Sequence, residues 1–214
     1  MKKYKTVLFD MDGTVLDTLD ELTNSLAAVF KMNNLPVLDR ESVRARLGYG
    51  YVGLIARSAP QAAKEDQARL VKEFKEYYGA HCRGTTFPYT HIPAALRRLR
   101  EKGYRTAIVS NKGQAAVSAL HDEFFTGLVS FSLGETPDLP KKPRPDMLYE
   151  ALRRLNSTPD EAIYVGDSEV DKKTADNAGM DVILVSWGFR DKSFLQRLNP
   201  AYLIDTADEL NRIL

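Results

Sequence analysis

The chain has 214 residues, 43% hydrophobic and 28% charged, enough to bury the core of one full domain or of one domain with a modest insertion. Thirty basic residues against 29 acidic ones leave a formal net charge of +1, which excludes a polybasic nucleic-acid platform and an acidic disordered tail. The single cysteine, Cys82, rules out an internal disulfide and a Cys-rich zinc site, and predicts a reducing compartment, the cytoplasm.

In chain order, Lys2, Lys3 and Lys5 precede only the short run Thr6-Val7-Leu8-Phe9, which Asp10 ends, so no secretory leader is expected. No apolar run approaches the roughly 20 residues of a membrane-spanning helix. Thr6 to Phe9 reads as a buried strand. The pattern then turns helical until about Arg105. Leu19, Leu22, Leu26, Val29 and Phe30 make one apolar stripe, and Leu70, Val71, Phe74, Tyr77 and Tyr78 make a second. Thr18-Leu19-Asp20-Glu21 has the form of a capping box opening the first of these helices. Residues 17–85 are thus expected to form a helical insertion over a sheet domain of residues 1–16 and 86–214. The return linker falls around Thr85 to Tyr89.

Past the linker, compact apolar runs recur at Thr106 to Val109, Leu128 to Leu133, Ala162 to Val165, Val182 to Val185 and Tyr202 to Ile204. Continuous apolar strands alternating with helices imply an α/β fold whose parallel sheet is covered on both faces. Further capping boxes are expected at Thr158 to Glu161 and Thr206 to Glu209. Gly103 and Gly179 sit where helix C-termini favour a left-handed residue.

Four short motifs fall just past the C-terminal ends of these candidate strands, the edge where open parallel sheets build sites. Asp10-Met11-Asp12-Gly13 offers two carboxylates two residues apart: one suits a nucleophile or metal ligand, the other a proton donor and acceptor. Ser110-Asn111-Lys112 offers a hydroxyl and an amide at the expected start of a helix, an anion cradle. Lys142, before Pro143-Arg144-Pro145-Asp146, can compensate phosphate charge. Asp167, in Gly166-Asp167-Ser168-Glu169-Val170-Asp171, suits a hard oxygen ligand for Mg²⁺, and Asp171 can act behind it or complement the helix dipole. Each motif alone also fits an ordinary turn or cap. Their joint order is what points to chemistry.

This combination resembles the haloacid dehalogenase-like superfamily over nearly the whole chain. Within it the segments Phe9 to Thr14, Tyr164 to Ser168 and Lys142 to Asp146 look most like the phosphoglycolate phosphatase-like group, while pyrophosphatases and sugar-phosphate enzymes share them. The resemblance implies a Rossmann-like three-layer core with a C1-type helical cap. It also implies that Asp10 is the nucleophile forming an aspartyl-phosphate and Asp12 the general acid and base. Ser110, Asn111 and Lys142 match the phosphate binders; Asp10, the backbone carbonyl of Asp12, and Asp167 match the Mg²⁺ ligands. Asp171 is expected behind that first set. His91 departs from the family, which usually has glycine there.

The expected activity is therefore Mg²⁺-dependent hydrolysis of a small phosphorylated metabolite, with phosphoglycolate the first substrate to try, by a monomer or homodimer that contacts neither nucleic acid nor membrane. A pyrophosphatase or phosphosugar phosphatase or mutase is the alternative on the same scaffold, and a non-catalytic phosphate-binding protein the alternative from another class. Retention of Asp12 argues against the binder, which needs no proton shuttle. A halide-releasing enzyme would need neither Asp12 nor a metal ligand. In the insertion, Arg44, Gly48, Tyr49 and Gly50 fall where related phosphatases carry a loop that meets the substrate, so this segment is expected to set the leaving group accepted. Gly48 equally fits the end of a helix opened by Asp39. His81, His91 and His121 lack paired ligand spacing.

Overall fold

The computed structural model describes residues 4–214, so Lys2 and Lys3 lie outside the described residues. The first half of the chain runs β1 (Thr6–Phe9), β2 (Leu16–Asp17), α1 (Leu19–Met32), α2 (Arg40–Arg44), α3 (Gly50–Ser58), α4 (Lys64–His81), β3 (Phe87–Pro88) and α5 (Ile92–Glu101). The second half continues through β4 (Arg105–Gly113), α6 (Gln114–Phe124), β5 (Ser132–Glu135), α7 (Asp146–Arg154), β6 (Ala162–Gly166) and α8 (Glu169–Ala178). It ends with β7 (Asp181–Val185), α9 (Lys192–Arg197), β8 (Tyr202–Ile204) and α10 (Leu210–Ile213). Six strands form one parallel sheet in the order β5-β4-β1-β6-β7-β8.

Every residue of β1 is buried because the strand is central in its sheet and covered on both faces. Val7 and Phe9 pack into one layer with Leu96 and Leu99 of α5 and Val117 and Leu120 of α6. Leu8 faces the opposite layer, with Met147 and Ala151 of α7 and Ala175 of α8. The fold is thus the expected three-layer, Rossmann-like α/β arrangement. No helix among the described residues is long and apolar enough to cross a membrane.

Between β2 and β3, which pair antiparallel with Leu16 opposite Pro88, the chain makes the four helices α1 to α4. The α1 stripe Leu19, Leu22, Leu26, Val29 and Phe30 is buried, as are Leu70, Phe74 and Tyr78 of α4. Fully burying each such side chain stabilises the fold by roughly 1.5–3 kcal/mol. Glu21 is turned inward and accepts from the Thr85 N–H at 2.9 Å, tying the start of this segment to its end.

Several local expectations are corrected. Thr18 makes no capping box, because its hydroxyl goes to Asp12 and Glu21 goes to Thr85. Thr158 to Glu161 forms only a short 3-10 turn without a side-chain cap, since Glu161 is held by Lys5 and Arg105. The Thr206 box is present. The strand expected from Leu128 begins at Ser132, after a turn at Gly127 (φ 76°), although Ser130 and Phe131 already bond to β4. Ser110 to Lys112 do not start a helix: β4 continues through Gly113. His91 adopts the left-handed φ of 67° that glycine takes at no steric cost, and its ring pairs with Asp208.

Candidate active site

The sheet order sends the chain to one side of β1 through β4 and β5, then back across to β6. The crevice at such a switch point opens at the carboxyl ends of the strands that flank it. Asp10 and Asp167 follow β1 and β6 directly, and Ser110 and Asn111 lie near the end of β4. Parallel pairing of β1 with both neighbours brings these groups together.

Lys142 is the hub. Its buried ammonium donates to Asp10 Oδ1 at 2.7 Å, Asp171 Oδ1 at 2.8 Å and the Tyr164 hydroxyl at 2.9 Å. Burial alone would lower its pKa, but Asp10 and Asp171 outweigh that and hold it above the ordinary lysine value. Asn111 places this lysine: its Oδ1 accepts from the Lys142 N–H at 2.8 Å and its Nδ2 donates to the Lys142 carbonyl at 3.0 Å. The side-chain amide is therefore engaged with Lys142 rather than presented free to an anion. Ser110 Oγ accepts from the Lys112 N–H at 3.2 Å. Asp171, beyond meeting Lys142, accepts from the Ser168 hydroxyl and N–H at 2.6 and 3.1 Å, a capping box for α8.

Asp10, Asp167 and Asp171 bring carboxylate oxygens within 4.8 Å of one another, all buried. Burial pushes the Asp10 carboxyl up to about 7, Lys142 opposing and Asp171 and Asp12 reinforcing. Asp167 is held well above the carboxylate range by burial, then by Asp171 and Asp10. Two such carboxylates beside one lysine that is itself shared fit a divalent cation with oxygen ligands. Asp171 fits that role less well, its oxygens being taken by Lys142, Tyr164 and Ser168. The backbone packs hard against Asp167: a Cβ at Gly13 (φ 80°) would lie 2.3 Å from its Oδ2, and one at Gly188 would lie 2.4 Å from its Cβ. Only glycine allows both approaches. Phe189 N–H also donates to Asp167 Oδ2 at 2.6 Å.

Asp12 is less enclosed. Its Oδ1 accepts from the Thr18 hydroxyl at 2.7 Å and meets Lys112 Nζ at 3.1 Å. Asp10, Asp12, Ser110, Asn111, Lys142 and Asp167 all line one cavity, closed over by Leu22, Leu47, Gly48, Gly50, Tyr51 and Leu54 from the helical segment. Its volume is about 40 Å³; one water needs roughly 10–15 Å³. A small group fits there.

Of the four candidates in the segment, Gly48 and Gly50 line the cavity and Arg44 and Tyr49 do not. Arg44 pairs with Glu41 and Asp191, and the Tyr49 hydroxyl donates to Glu169 at 3.2 Å. Gly48 lies beyond the end of α2, which Asp39 caps through the Ser42 N–H. The three histidines stand apart, at Tyr77, Asp208 and Ser132. Sequence reasoning gave no site role to Thr18, Lys112, Tyr164, Gly188 or Phe189, although Thr18, Lys112 and Tyr164 lie in segments it singled out. Lys112 carried the clearest signal, as a charged residue next to Ser110-Asn111 in a run that is otherwise strand.

A family model described as haloacid dehalogenase-like hydrolase matches residues 7–185. The chain is 32% identical over 209 residues to a phosphoglycolate phosphatase from Mesorhizobium japonicum, covering 95% of this chain and 92% of that protein. It is 27% identical over 217 residues to the pyrophosphatase PpaX of Bacillus cereus, covering 99% and 97%. A crystal structure from Lactobacillus delbrueckii subsp. bulgaricus, described provisionally as a phosphoglycolate phosphatase, superposes with a TM-score of 0.93 at 35% identity, covering 99% of this chain and 98% of that one. The chain belongs to the haloacid dehalogenase-like hydrolases, as a member of their phosphatase type.

Proposed function

We propose that the protein hydrolyses a small phosphomonoester through an aspartyl-phosphate on Asp10, with phosphoglycolate the leading substrate. The observation that carries this reading is the buried Asp10–Lys142–Asp171 chain set beside Asp167 and Asp12 at one small cavity. An Asp10 carboxylate oxygen attacks phosphorus, and Lys142 orients it while offsetting phosphate charge. Ser110 borders the phosphate. Asp12 gives a proton to the departing oxygen, then takes one from the water that cleaves the acyl phosphate. Phosphoryl transfer asks mainly for such positioning and charge neutralisation.

Asp10, Asp167 and the Asp12 carbonyl would hold Mg²⁺, which when bound neutralises charge on the phosphoryl oxygens. Asp167→Ala should raise the Mg²⁺ concentration needed for half-maximal rate by about tenfold or more, since the cation loses one of few protein carboxylates. Full activity in excess EDTA would contradict the metal assignment. Residues 17–85 act as a cap that excludes water, on a core of residues 1–16 and 86–214. The buried, unpaired Cys82 fits a reducing, cytoplasmic setting.

A panel of phosphorylated metabolites assayed with Mg²⁺ tests the reading. Phosphoglycolate should rank first by kcat/KM, as the likeness to a phosphoglycolate phosphatase suggests. Pyrophosphate is the second reading, favoured by the likeness to PpaX, and a clear preference for it over every monoester would replace the first.

A further inference from the structure

We propose that Lys112 and Tyr78 are positioning residues that hold Asp12 in its proton-transferring orientation, and that they do so only while the helical segment is docked on the sheet domain. The inference rests on the phosphatase reading and deepens it. It names how the two parts of the chain share one step.

The side chain of Lys112 has no exposed surface. A buried ammonium is costly unless it is paired and hydrogen-bonded. Here its Nζ stands 3.1 Å from Asp12 Oδ1 and donates to the Tyr78 hydroxyl at 2.6 Å. It also lies 4.0 Å from the centre of the Tyr78 ring and 5.8 Å from that of Tyr51. A methionine would pack against the same rings without the desolvation cost, so packing does not explain a lysine here.

The two partners belong to different parts of the molecule. Lys112 is on β4, fixed by the sheet. Tyr78 is on α4 and is itself fixed inside the segment, stacked on Phe74 at 5.8 Å and tilted against Tyr51 of α3 at 5.9 Å. Lys112 therefore spans the joint. If the segment lifts, the lysine loses its hydroxyl partner.

The effect on Asp12 follows from which oxygen is used. Thr18 and Lys112 both address Oδ1. With that oxygen hydrogen-bonded by Thr18 and ion-paired to Lys112, Oδ2 is the atom left to exchange a proton with the leaving oxygen or with water. A fixed Oδ1 gives Oδ2 a fixed direction. Loss of the lysine leaves Thr18 as a single tether, about which the carboxylate can turn.

Leaving-group dependence separates this role from simple structural support. A poor leaving group needs the proton from Asp12, whereas 4-nitrophenolate departs with little help. We would measure kcat and KM for phosphoglycolate, for 2-hydroxyethyl phosphate and for 4-nitrophenyl phosphate in the wild type, Tyr78→Phe and Lys112→Met. For Tyr78→Phe, kcat/KM on the two alkyl phosphates should fall by roughly fivefold to tenfold and on the aryl phosphate by less than about twofold, with the alkyl loss in kcat rather than KM. Lys112→Met should widen the same gap to about thirtyfold or more. Equal losses of kcat/KM on all three substrates, or a loss confined to KM, would overturn the proposal; kcat/KM excludes the hydrolysis of the aspartyl-phosphate that all three share. Should Lys112→Met fail to fold, Tyr78→Phe decides alone, since it removes one hydroxyl and keeps the ring packing. A wild type that cleaves none of the three esters would instead overturn the phosphatase reading, and this inference with it.

Discussion

Replacing Asp10 by asparagine is expected to lower phosphate-ester turnover by about 10³-fold or more while leaving the fold intact. The substitution is nearly isosteric, and its amide oxygen can still accept from Lys142. That lysine keeps Asp171 at 2.8 Å, so no buried charge is orphaned. Stability should also respond to pH. Burial, opposed by Lys142 and reinforced by Asp171 and Asp12, holds the wild-type carboxyl at about 7, whereas an unfolded aspartate titrates near about 4. Between those values the folded protein binds more protons than the unfolded chain, so stability without metal falls as pH rises through that window. Asparagine carries no such proton. Thermal melts in EDTA between about pH 4.5 and 7.5 should show a smaller decline for the variant than for the wild type. Near-wild-type turnover by the purified variant would remove Asp10 from the nucleophile's role.

Lys142→Met should be the most damaging single change to stability, at about 3–5 kcal/mol, because it strips the shared cation from two buried carboxylates. Denaturant unfolding measures it directly. Turnover should drop by roughly 10²-fold or more as the nucleophile loses its orientation and charge partner. Adding Asp171→Asn to Lys142→Met should restore part of the lost stability and none of the turnover. That asymmetry distinguishes charge burial from a packing defect: a cavity would not be repaired by neutralising a neighbour. An additive double variant would argue that Asp171 does not share the lysine.

The sheet, its six strands and the positions of the four motifs are legible from local pattern. A strand covered on both faces must be continuously apolar, as Thr6–Phe9 and Ala162–Val165 are, and the apolar stripes of α1 and α4 face inward because water is excluded there. Asp10, Asp12 and Asp167 stand out because charged residues seldom follow such strands without a partner or a task. What the linear chain does not display is who pairs with whom. Thr18 and Glu21 have the composition of a capping box, yet both leave the helix start for partners that only tertiary contact supplies, Asp12 and Thr85. Arg44 and Tyr49 have the chemistry of substrate contacts but turn to Asp191 and Glu169, while the plain hydrophobes Leu47 and Leu54 take the cavity wall. Gly188 reads as an ordinary turn residue until Asp167 is seen lying where its Cβ would be. Residue type and spacing determine which groups can do chemistry and on which strand they stand. Their orientation is decided by burial, since a hydrogen-bonding side chain removed from water takes the nearest complementary partner, however far away in sequence that partner lies.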